Sequence, residues 1–129
     1  MRYVIALDTT LRLLAERATP DHALVAPTLL RSEVLAALYA ARTEIDRKEA
    51  DARLDHFRVL KPRLLGDRVL QRKAWDMAER LGWSDTGPAE YAALTLLQAD
   101  GYVTLDRDVA SRLDGIVPLA SYDDLLTGG

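Results

Sequence analysis

Two hydrophobic rhythms alternate along the chain. Short continuous apolar runs read as strands buried on both faces: Tyr3-Val4-Ile5-Ala6-Leu7, Ala23-Leu24-Val25-Ala26, Tyr102-Val103-Thr104-Leu105 and Ile116-Val117-Pro118-Leu119. Between them, apolar residues recur at helical spacing. Thr9 or Thr10 caps a short helix through Leu11, Leu14 and Ala15, which Pro20 and Asp21 close off. Pro27 opens a long helix running toward Arg42, and a charged helix over residues 46–57 carries Ala50, Leu54 and Phe57 as its apolar stripe. After Pro62 comes a short edge strand, Arg63-Leu64-Leu65, and Asp67 caps a helix that Gly82 ends. Pro88 opens an alanine-rich helix terminated by Gly101, and a helical turn spans Val109 to Leu113. With no linker or repeat, this alternation predicts one three-layer α/β domain over residues 1–129 with a mainly parallel sheet.

The acids at the ends of these elements change the picture. The first apolar run meets Asp8 and a later one meets Asp106, so two parallel strands would deliver carboxylates to the same carboxyl edge of the sheet. Like charges brought together in a partly dry site need a proton or a divalent cation between them, which points to Mg²⁺ or Mn²⁺. Glu33 adds a third. It lies between Leu30 and Ala37 on the apolar stripe of its helix, where a carboxylate is costly unless paired. Its alternative is a place at the stripe's margin, bonded to Arg31 or to water.

Composition narrows the chemistry. The absence of cysteine excludes disulfide scaffolds, thiol catalysis and Cys-ligated zinc. No apolar stretch approaches a membrane span, and Asp8 and Arg12 interrupt any secretory signal; a soluble cytoplasmic protein is expected. A net charge of −3 argues against general electrostatic attraction to nucleic acid, yet the cations are mostly arginine, so a local basic rim beside the acids is compatible with it. His22 and His56 lack metal-ligand spacing and are expected at the surface. There is no glycine-rich phosphate loop. Thr10 stands where a haloacid-dehalogenase-type site needs a second Asp, and no lysine follows the last strand as a receiver domain requires.

Four blocks carry a family resemblance: Asp8-Thr9-Thr10, Leu29-Leu30-Arg31-Ser32-Glu33, Ala89-Glu90-Tyr91-Ala92-Ala93-Leu94 and Val103-Thr104-Leu105-Asp106. In their order and spacing the chain resembles a PIN domain, more narrowly the VapC-type toxins of bacterial toxin–antitoxin pairs, over essentially its whole length. The resemblance implies a PIN-like sheet of order 3-2-1-4-5 flanked by helices. It implies a Mg²⁺- or Mn²⁺-dependent endoribonuclease, cutting tRNA or rRNA to 5′-phosphate and 3′-hydroxyl ends, held inactive by a cognate antitoxin and assembled as a homodimer. Asp8, Glu33 and Asp106 match three of the family's catalytic and metal-binding acids.

The fourth is missing. The family acid three residues before the tyrosine, here Tyr91, is replaced by Pro88, which has no side chain to ligate a metal. Asp85 reaches the site if the turn at Gly87 folds back, or it only caps the helix; Glu90 starts about 200° around the helix from position 88, so geometry favours Asp85. Thr10 and Thr104 stand where a hydroxyl orients a carboxylate or phosphate, unless they are an ordinary cap and strand residue, and Asp108 lies at the rim or in a surface turn. The alternative function is a PIN-like binding module whose catalysis is weakened or lost at Pro88. An apolar groove drawn from Leu11, Leu14, Leu35, Leu38 and Tyr39 would receive a partner helix, unless these residues are simply core.

Overall fold

Strand β1 (Arg2–Ile5) has every residue after Arg2 buried, as a central strand of a covered parallel sheet should. In the computed structural model, which describes residues 1–128, it pairs in parallel with β2 (Ala23–Pro27) on one side and β4 (Gly101–Val103) on the other. Outside these lie β3 (Arg63–Leu65) and β5 (Leu119–Ala120), giving an all-parallel order β3-β2-β1-β4-β5. Winding reverses between β1 and β4. That is the switch point at which open α/β sheets leave a crevice at the carboxyl ends of their strands.

Helices fill the connections: α1 (Leu7–Glu16), α2 (Leu29–Ala40), α3 (Arg47–Leu60), α4 (Arg68–Leu81), α5 (Gly87–Gln98), α6 (Arg107–Leu113) and α7 (Tyr122–Leu126). Right-handed crossovers place α1 to α3 on one face and α4 to α6 on the other. Accordingly α1, α2 and α3 touch one another, while α5 lies on β1, β2 and β4 with α4 behind it. The small inner face of α5, with Ala89, Ala92 and Ala93 buried, lets it approach the sheet closely. No helix among the described residues is long and apolar enough to cross a membrane.

Several local expectations need correction. Thr9 and Thr10 are not caps. Both are fully buried, Thr9 Oγ1 donating to Val103 O at 2.9 Å and Thr10 Oγ1 to Ala6 O at 2.8 Å, and α1 begins at Leu7 before either of them. Pro27 ends β2 rather than opening α2, because its missing N–H costs nothing at a strand's last position. Gly101 starts β4 instead of stopping α5: a Cβ there would lie 3.2 Å from that of Ala120 and 3.3 Å from the Tyr3 ring. The last strand begins later than the apolar run suggests, since the N–H groups of Ile116 and Val117 are already bonded to Leu113 O. His56 is buried, its Nε2 2.7 Å from Ala18 O, and ties α3 to the end of α1; the half-buried His22 Nε2 lies 2.8 Å from Thr127 O.

Candidate functional site

The register of the central pair brings Asp8 and Asp106 together. Ile5 and Val103 are partners across β1 and β4, and each aspartate follows its strand's last residue by the same three positions. Ala6 N–H extends the ladder to Val103 O at 3.1 Å. Asp8, half-buried in the first turn of α1, accepts from Thr9 N–H through Oδ1 at 2.7 Å. Its Oδ2 accepts from Leu105 N–H at 3.2 Å and faces Thr104 Oγ1 at 3.4 Å. The Thr104 hydroxyl in turn accepts from Asp106 N–H at 3.1 Å, so one side chain links the two aspartates. Asp106 is exposed and caps α6, Oδ1 accepting from the N–H groups of Asp108 and Val109 at 2.9 and 3.2 Å.

Glu33 arrives from α2, half-buried, and Tyr91 of α5 donates its hydroxyl hydrogen to Glu33 Oε1. Beside Tyr91, with ring centroids 6.2 Å apart, is Tyr102 of β4. Burial pushes both phenols well above their ordinary range, so each stays a neutral hydroxyl. For Tyr91 the next cause is the bond to Glu33. For Tyr102, burial is reinforced by Asp8, Glu33 and Asp106, all three acting on the one phenol. Glu33 is thus bonded to Tyr91, which packs beside Tyr102, while Asp8 and Asp106 are linked through Thr104, two residues beyond Tyr102. Tyr102 went unnoticed as a site residue because an aromatic in a strand reads as core.

The replacements for the missing acid divide. Asp85 is exposed, and its Oδ1 accepts from Gly87 N–H at 2.9 Å, a local turn at the start of α5. With Trp83, Pro88 and Asp108 it lines a shallow cleft of about 270 Å³. Glu90 is half-buried, and its carboxyl is pushed up first by burial, then by Glu33 and Asp85. Thr10 is spent on Ala6 O and holds the first turn of α1 without touching a carboxylate.

Hard oxygen donors suit Mg²⁺ or Mn²⁺, but their spacing is loose. Among the described residues, no three acidic or histidine side chains stand close enough together to hold a metal ion directly. The described side chains therefore form no preformed three-carboxylate cage. Of the apolar residues expected to form a partner groove, Leu14 and Leu38 are core and Leu11 is half-buried, while Leu35 and Tyr39 are exposed.

Solved structures share this architecture. PAE2754 from Pyrobaculum aerophilum superimposes with a TM-score of 0.71 at 21% identity, over 98% of this chain and 96% of its own. VapBC-1 from nontypeable Haemophilus influenzae gives a TM-score of 0.65 at 14% identity, over 95% of this chain and 99% of the other. The fold is PIN-like. No protein-family profile and no curated protein matches the chain. In this PIN-like fold, Asp8, Thr104 and Asp106 occupy the two turns leaving the central strands, with Glu33 reaching in from α2.

Proposed function

We propose that the protein is a metal-dependent endoribonuclease of the VapC type, using Asp8, Glu33 and Asp106 around a hydrated Mg²⁺ or Mn²⁺. The observation that carries this reading is the linkage of Asp8 to Asp106 through Thr104 at the switch point of a PIN-like sheet, with Glu33 held by Tyr91, whose ring lies beside Tyr102 of β4. Asp8, Glu33 and Asp106 would hold the cation, with Asp85 or Glu90 as a fourth carboxylate in place of the acid absent at Pro88. When bound, the ion supplies a water of lowered pKa and a charge that offsets the leaving oxygen of an RNA phosphodiester. The chain's own residues prepare that chemistry. Tyr91 fixes one oxygen of Glu33 and leaves the other available, while Thr104 and Leu105 N–H orient Asp8. Burial keeps both tyrosine protons in place, so neither phenol adds charge to the acidic edge, and Tyr91 acts as the donor to Glu33. Asp108 stands at the rim through its N–H bond to Asp106.

The partners follow from the same reading: tRNA or rRNA as substrate, a cognate antitoxin as inhibitor, and a second copy of the chain as dimer partner. A second reading has its own support. Pro88 and the loose spacing of the acids favour a PIN-like binding module that retains the partner surface but has little catalysis. Incubation with total tRNA and rRNA in Mg²⁺, Mn²⁺ or EDTA separates the two. The nuclease reading expects discrete metal-dependent fragments that EDTA abolishes. Intact RNA under every condition, with an antitoxin still bound, establishes the binding module.

A further inference from the structure

The cations of this chain differ in what surrounds them. Arg12, Arg17, Arg47 and Arg53 are each in ion pairs with carboxylates. Arg31, Arg58 and Lys61 are exposed and make no ion pair among the described residues, yet all three line one cleft of about 610 Å³ between α2, the end of α3 and β3. No carboxylate lines it, although acids outnumber cations in the chain as a whole. An adjoining cleft of about 480 Å³, sharing Leu35 and Leu54, mixes Arg42 and Arg47 with Asp46 and Asp51. At this end of the groove the cations face no carboxylate, whereas Arg42 and Arg47 at the other end share it with Asp46 and Asp51. Arg31 puts the carboxylate-free end at the opening of α2, in the same turn as Glu33 but about 200° around the helix from it.

We propose that this cationic end of the α2–α3 groove seats the sugar–phosphate backbone of single-stranded RNA. Building on the nuclease reading, it names a surface that would hold the strand across α2 from Glu33. Acids at the sheet edge repel phosphate, so an RNA there needs cations close by and outside the acid cluster. Arg31 and Arg58 provide guanidinium forks matched to phosphate oxygens, and Lys61 adds a point charge. The floor beneath them contains the half-buried Phe57 with Leu35 and Leu64, apolar surface of the kind on which bases lie. Three phosphate contacts give salt-sensitive, sequence-tolerant binding. An acidic protein segment is the competing occupant and is built into the test.

The test is binding of a fluorescein-labelled single-stranded RNA of mixed sequence in EDTA, followed by anisotropy across a salt series. Arg31→Ala/Arg58→Ala/Lys61→Ala should bind about tenfold or more weakly at low salt, with the slope of log K against log salt shallower by about 2. The charge-matched control Arg72→Ala/Lys73→Ala/Arg80→Ala, on the exposed face of α4, should bind as wild type. Circular dichroism verifies that each variant is folded. The proposal is overturned if the triple variant stays within about twofold of wild type, if the control loses as much, or if poly-glutamate displaces RNA at lower charge concentration than unlabelled RNA does. Because EDTA removes the need for cleavage, groove-dependent binding without metal-dependent cutting leaves the groove standing and the nuclease reading fallen. Cutting by the triple variant with wild-type KM has the reverse meaning.

Discussion

The turns after β1 and β4 hold equivalent aspartates in opposite ways. Asp8 is half-buried and accepts hydrogen bonds from the neighbouring turn, through Leu105 N–H and the Thr104 hydroxyl. Asp106 is exposed, and its bonds go to the first turn of the helix it caps. One carboxylate therefore depends on tertiary structure and the other on local structure, though both stand at the same register on the sheet. Position on the sheet sets which groups can share a ligand; hydrogen bonding sets what each loses on mutation.

The largest expected effect tests what the two have in common. Asp8→Asn and Asp106→Asn each remove a charge from the proposed cation and should each lower metal-dependent RNA cleavage by about a hundredfold or more. Initial rates in Mg²⁺ and Mn²⁺, measured on whichever RNA the wild type cuts, read this directly. Loss in Asp8→Asn with near-normal activity in Asp106→Asn would break the pairing and leave Asp106 as a cap only.

A smaller effect, about tenfold, is expected at the position the family fills with an acid and this chain fills with Pro88. If the site is short of one ligand, Pro88→Asp should raise cleavage and lower the Mg²⁺ concentration for half-maximal rate. Glu90→Gln should raise that concentration if Glu90 is the substitute, and Asp85→Asn should do so if Asp85 is. Asparagine keeps the Asp85 oxygen that accepts from Gly87 N–H, so a purely local role predicts no change in either rate or stability. A flat response to all three would mean that Asp8, Glu33 and Asp106 suffice.

The contrast between the turns also explains how much could be read from the chain. Local chemistry was legible: Asp67 caps α4 through a bond to Leu70 N–H, and Gly82 ends α4 at φ 70°. So was the strand–helix alternation, because buried parallel strands have to be nearly all apolar. What escaped was set by distant parts of the chain. Thr9 looks like a cap in sequence but is captured by the carbonyl of Val103, far along the chain. His56 looks solvent-exposed until α1 ends beside it, and Tyr91 looks like core until α2 presents Glu33. Register fared similarly: β5 starts where Leu113 O stops holding the chain in a turn, which no hydrophobic run can indicate. At the site, the acids were visible as strand-end and stripe residues, whereas their tertiary partners Tyr91, Tyr102 and Leu105 were not.

The smallest effect isolates the difference between the two turns. Asp106→Asn should leave thermal stability within a few tenths of a kcal/mol, roughly what exchanging one good capping residue for another costs, while Asp106→Ala should lose about 1 kcal/mol with the cap. Asp8→Asn should behave unlike Asp106→Asn. An amide has one acceptor oxygen, so it cannot serve both Thr9 N–H and Leu105 N–H; because Leu105 is exposed, water partly compensates and about 1 kcal/mol is lost rather than the larger penalty of a buried orphan. Both Asn variants also relieve repulsion within the acidic edge, in the same direction, so their difference reports mainly the cross-turn hydrogen bond. Urea denaturation of the three variants without metal measures it, and equal stability for Asp8→Asn and Asp106→Asn would show that Leu105 and Thr104 do not hold Asp8 in place.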